Sequence, residues 1–182
     1  MENETNEVNV TGGSVRTGKT VDVTLRITAK DLWMFSMYHS NKGYLGVFNL
    51  FFTLASLWLL VTRWSDVTVA YRILLLICVL MFTVWQPALL YMKAAKQAKT
   101  KAVKEPMDMT CIAEGILIEQ AEQSQQITWD QIVKVEQVKG LLIIYMGRVH
   151  AYLIPEQASA ACKEQLLEMI RTNLPAERRK KI

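Results

Sequence analysis

Residues 44–92 hold two long apolar runs, 44–62 and 67–92, joined by the short polar hinge Arg63-Trp64-Ser65-Asp66. A hydrocarbon core of about 30 Å is crossed by about 20 helical residues at about 1.5 Å each, so each run is long enough to span a bilayer. Backbone in lipid has to satisfy its hydrogen bonds internally, and the hinge is too short to carry a domain. The runs are therefore expected to form an antiparallel transmembrane hairpin with all other segments on one side. The hinge offers Arg63 alone, whereas the opposite flanks carry Lys30, Lys42, Lys93, Lys96, Lys99, Lys101 and Lys104. That bias places both termini in the cytoplasm of a multi-pass protein.

The rest of the chain reads as ordinary soluble sequence, which is why the hydrophobic fraction is only 51%. Its net charge of +4 is unevenly placed. The five lysines from Lys93 to Lys104 are interleaved with alanines, so a basic helical extension over 93–104 is expected to leave the bilayer and meet anionic lipid headgroups, each lysine contributing about 1 kcal/mol. Arg178, Arg179, Lys180 and Lys181 make a basic tail over 175–182. Aromatic residues that would stack on bases are missing beside these charges, so nucleic acid is not an expected partner. Within the first run, Gly46, Asn49, Thr53 and Ser56 share a helix face suited to hairpin packing, or, in an oligomer, to lining a conduction path. Arg72 lies near the outer end of the second run and can snorkel to the interface. Pro87 removes the amide that would bond Thr83, so a kink is expected there.

Residues 1–19 are polar and aperiodic, the composition of a disordered tail. Over 20–28 the chain alternates, with Val21, Val23, Leu25 and Ile27 on one face; a lone strand does not stand, so its neighbours are expected beyond the hairpin. Thr28 and Asp31 fit a capping box opening a helix over 29–42. That helix, rich in Leu32, Trp33, Phe35, Met37 and Tyr38, either lies at the headgroup level or continues into the first membrane helix. From 105 to 174 the period changes to two. Strands are expected over 107–111, 115–120, 124–128, 133–138, 141–146 and 149–154, with a helical turn at 129–132 and a closing amphipathic helix from Ala158 to Leu174.

Seven strands and a closing helix are the inventory of a pleckstrin-homology-like barrel, with Val21, Val23, Leu25, Ile27 and Trp129 as core. Two membrane helices, then Ile127-Thr128-Trp129-Asp130-Gln131-Ile132-Val133-Lys134-Val135, then Tyr152-Leu153-Ile154-Pro155 and a helix resemble the YcxB-like family of small bacterial membrane proteins, over residues 20–174. The resemblance implies a pleckstrin-like cytoplasmic domain on a bacterial plasma membrane and brings no activity. The fold class expected is thus an α+β membrane protein, a transmembrane hairpin inserted into a seven-stranded barrel.

Little catalytic material is present. Cys78, Cys111 and Cys162 are widely spaced, which excludes a disulfide framework or a Cys-x-x-Cys metal site and fits a reducing compartment. Cys111 and His150 sit on expected strands, where a core cysteine and a surface histidine are the simpler reading. No catalytic, cofactor-binding or metal-binding residue is expected, and no enzyme. The function expected is a membrane-tethered binding or regulatory module at the inner leaflet. Its partners are the anionic bilayer and a protein, or a second copy of the chain; the alternative is a subunit of an oligomeric transport assembly.

Overall fold

A computed structural model describes residues 20–147 and 150–182, so the tail expected over 1–19 and the start of the last strand at Val149 lie outside the described residues. The β-sheet part is two four-stranded sheets, in the orders β1-β2-β3-β4 and β7-β6-β5-β8, and not a closed seven-stranded barrel. In the first sheet, β1 (Val21–Leu25) pairs antiparallel with β2 (Met107–Ile112), Val21 opposite Cys111 and Leu25 opposite Met107, across the whole hairpin. β3 (Gly115–Gln120) and β4 (Gln123–Thr128) complete it. In the second sheet, β5 (Lys134–Val138), β6 (Leu141–Tyr145) and β7 (Ala151–Pro155) form an antiparallel meander.

The sheets face each other over one core. Val21, Val23, Leu25, Met109, Cys111, Ile116 and Ile127 meet Val135, Leu142, Ile144 and Ile154, and Leu166 and Ile170 of the closing helix complete the enclosure. Trp129 lies in this core, its indole N–H donating to the carbonyl oxygens of Ile112 and Ala113. Ile27 does not: β1 ends at Leu25, and Ile27 packs, half-buried, into a second cluster. The closing helix is two pieces, α6 (Glu156–Ser159) and α7 (Lys163–Asn173). The basic tail is part of the sheet, because Arg179–Lys180 form β8, a short parallel strand on β5.

The second cluster lies on the outer face of the second sheet. α1 (Ala29–Ser40) opens with the Thr28 capping box, Thr28 Oγ1 accepting from the Asp31 amide and Asp31 Oδ2 from the Thr28 amide. It then packs Leu32 with Ala94, Leu141, Ile143 and Leu153. The helix is therefore covered on one side by a sheet, and a break at 41–43 separates it from the next helix. The break is built from glycine: Gly43 adopts φ 76°, and a Cβ on Gly46 would stand 2.0 Å from the carbonyl oxygen of Asn41.

Two helices long and apolar enough to cross a membrane follow. α2 covers Tyr44–Thr62, and a second rod covers Val69–Ala98. The rod comprises α3 (Val69–Leu80), a π turn (Met81–Trp85) and α4 (Gln86–Ala98). The irregularity expected at Pro87 is absorbed by that wider turn, in which the Gln86 amide bonds the carbonyl of Met81. Most apolar side chains on these helices point outward, Phe51 and Val61 being 73% and 71% exposed. The basic extension over 93–104 is not one helix: α4 stops at Ala98, and α5 (Lys101–Lys104) follows a break.

Candidate functional site

The strand β5 alternates like its neighbours, so Val135 enters the shared core and Glu136 points to the other face. Because α1 covers that face, the Glu136 side chain is fully buried. A buried carboxylate without partners would be strongly disfavoured, and here it is surrounded. Lys42 Nζ and Lys134 Nζ each donate to Glu136 Oε2 at 2.9 Å. Tyr38 donates a short bond to Glu136 Oε1, from which Lys180 Nζ stands 3.8 Å away. Four separate elements meet at this carboxylate: α1 and the turn after it, β5 itself, and β8.

Burial pushes the Glu136 carboxyl pKa up, but the bonds from Tyr38, Lys134 and Lys42 outweigh it and hold it at about 2, so the group is ionised. Burial pulls the Lys42 ammonium down, but the bond to Glu136 outweighs this and its pKa is raised. Tyr38 is raised by burial and by its bond to Glu136. Beside them, His39 Nε2 lies 3.1 Å from Tyr145 Oη, and its pKa is lowered by burial and by the charge of Lys42. The ammonium groups rest on aromatic faces, Lys42 over Tyr38 at 5.0 Å and Lys134 over Tyr145 at 5.8 Å.

The match to known proteins falls on the strands that carry this cluster. Residues 113–170 match the YcxB-like protein family. The YcxB-like segment runs from the β2–β3 turn into α7 and includes Lys134, Glu136 and Tyr145, while Tyr38, Lys42 and Lys180 come from outside it. It is shorter than the likeness read over 20–174. No curated protein and no solved structure matches the chain.

The residues expected to act from the sequence lie elsewhere. Lys93, Lys96, Lys99, Lys101 and Lys104 are all exposed, Lys93 and Lys96 on α4, Lys99 in the break after it, and Lys101 and Lys104 on α5. Asn49 Nδ2 donates to Gln86 Oε1 at 3.3 Å, and Ser56 is buried. Thr53 is half-buried, and Gly46 lies under the Asn41 carbonyl. Arg72 reaches back toward the hinge, over the ring of Trp64 at 5.0 Å. Burial and the neighbouring Cys162 push the Cys111 thiol up to about 12, which leaves it without thiolate character near neutrality.

The Glu136 cluster was hidden because its parts are spread over 143 positions, from Tyr38 to Lys180. One signal for it exists. The run Leu141-Leu142-Ile143-Ile144 is apolar at every position, which marks a strand covered on both faces. A glutamate on the neighbouring strand then has to be buried on one of them.

Proposed function

We propose that this chain is a membrane-tethered binding or regulatory module on the cytoplasmic face of a bacterial plasma membrane. α2 and the α3–α4 rod cross the bilayer as a hairpin, with both termini inside, and the two-sheet domain is pleckstrin-like. The observation that carries the reading is the docking of α1 and α4 on the outer face of the second sheet. It holds the domain in one pose at the exit of the hairpin, where a flexible linker would let it wander. The outward apolar surface of both helices supports insertion, and the order of a four-stranded sheet, a three-stranded meander and a closing helix supports the pleckstrin-like comparison. The exposed lysines of α4 and α5 seat the module on anionic lipid. A transport path would need polar groups free to line it, whereas Asn49 is bonded to Gln86 and Ser56 is buried.

Accessibility labelling tests the arrangement, in a chain whose own three cysteines are replaced by alanine. A cysteine at Ser65 is expected to react with a membrane-impermeant reagent added to intact cells, and one at Glu177 only after lysis. Labelling of Glu177→Cys from outside overturns the topology. The mass of the detergent-solubilised protein separates a monomer or dimer, expected for a module, from the larger ring a pore requires.

A further inference from the structure

We propose that Lys42, Lys134 and Lys180 form a binding site for a phosphate monoester, presented at the depth of the lipid headgroups. The depth rests on the membrane reading above; the site itself does not.

Three ammonium groups share one carboxylate, so the cluster keeps two positive charges in excess. A phosphate monoester near neutral pH carries about that charge in the opposite sense, with three acceptor oxygens. Glu136 is fully buried while the side chains of Lys42, Lys134 and Lys180 remain 37%, 29% and 52% exposed, so the lysines cover the carboxylate and face outward. An ammonium has three N–H donors, so beyond the bond to Glu136, and for Lys42 a further contact with Tyr38, donors remain for the outer side. Lys42 and Lys134 each stand 2.9 Å from the same oxygen, so they can be no farther apart than twice that distance. One phosphate can bridge such a pair.

The carboxylate therefore acts as an internal template. It sets the spacing of the cations before a ligand arrives, which lowers the ordering cost of binding, as long flexible lysines on an open surface would not. Lys180 completes the ring from β8, and its contact is the longest and its side chain the most exposed, so it is the arm with most freedom to move onto a ligand. Lys42 lies two positions before Tyr44, where α2 begins, which brings the site level with headgroups if that helix enters the bilayer. Among the described residues the lysines of α4 and α5 have no such template, and they discriminate by charge.

The test uses the full chain in nanodiscs of phosphatidylcholine doped with either phosphatidic acid, a monoester, or phosphatidylglycerol, a diester, matched in total lipid charge. Lipid retained after exchange into detergent is read by native mass spectrometry. The unaltered chain is expected to retain phosphatidic acid in several-fold preference. Lys180→Gln, which leaves the two 2.9 Å contacts in place, should reduce that preference several-fold, and Lys42→Gln with Lys180→Gln should abolish it. Lys42→Arg should preserve it, and Lys93→Gln with Lys96→Gln and Lys99→Gln should lower retention of both lipids equally. Inorganic phosphate is titrated in lipid-free micelles: binding that is lost in the Lys42, Lys180 double variant supports the site and shows that it also takes soluble phosphate. Equal retention of the two lipids, or a preference that survives the double variant, overturns the proposal. Neither result depends on which side of the membrane the domain occupies, so labelling at Ser65 and Glu177 stands or falls separately.

Discussion

The two sheets of the β-domain are built to different rules, although they share a core. β1 alternates strictly, with Val21, Val23 and Leu25 buried and Asp22 and Thr24 exposed, and the outer face of its sheet meets water. There Thr24 Oγ1 donates to Asp108 Oδ1 at 2.7 Å, a cross-strand pair in direct register. β6 has no polar face: Leu142 and Ile144 enter the sandwich while Leu141 and Ile143 meet α1 and α4. The first sheet is finished by solvent and the second by α1 and α4. The difference teaches where this molecule joins its two halves: the two-faced sheet is the one on which α1 and α4 pack, and it carries that contact into the shared core.

Replacing Ile143 by aspartate puts an unpaired charge into that second interface and should cost more than about 4 kcal/mol, detected as loss of cooperative unfolding in detergent by tryptophan fluorescence. Unfolding unchanged from the parent chain would mean that α1 and α4 do not cover the sheet in solution.

A smaller effect is expected from Glu136→Gln, about 2–3 kcal/mol, because the lysines it strands are partly exposed and recover some hydration. Its pH dependence sharpens the assignment. The carboxyl is depressed in the folded chain from an ordinary 4.5 to about 2. Its stabilisation is therefore complete above pH 4.5 and is lost as the pH falls from there through 2. The glutamine variant should lack that portion of the acid loss, and equal acid slopes for the two chains would show that Glu136 is not the group responsible.

On the water-facing sheet, Asp108→Ala removes an exposed bond and should cost about 0.5 kcal/mol or less. A cost as large as that of Glu136→Gln would remove the distinction between the two sheets.

Much of the secondary structure was legible because its signals are local. The alternation of β1, the Thr28-to-Asp31 capping pattern and the length of α2 each depend on residues within one element, and the structure places β1, α1 and α2 where those signals put them. Sheet closure was not legible, because a strand count fixes neither hydrogen bonding between sheets nor an eighth strand made from Arg179 and Lys180. The candidate site was illegible for a related reason. The apolar run Leu141–Ile144 shows that a face near Glu136 is covered but not that α1, some hundred residues earlier, covers it, and the charge run Lys93 to Lys104 is exposed.

The pairing of β1 with β2 also sets a clock. Thr24 and Asp108 are 84 positions apart, and Asp22 meets Cys162 at a separation of 140. At a synthesis rate of about 5–20 residues per second, β1 waits for several seconds or more before its neighbour leaves the ribosome, and longer before α7 arrives. Throughout that interval its apolar face has no sheet to join, and both apolar helices have emerged in between. Closure of the domain is thus a late event in synthesis, and a chain stalled before β2 emerges carries an uncovered strand beside the ribosome.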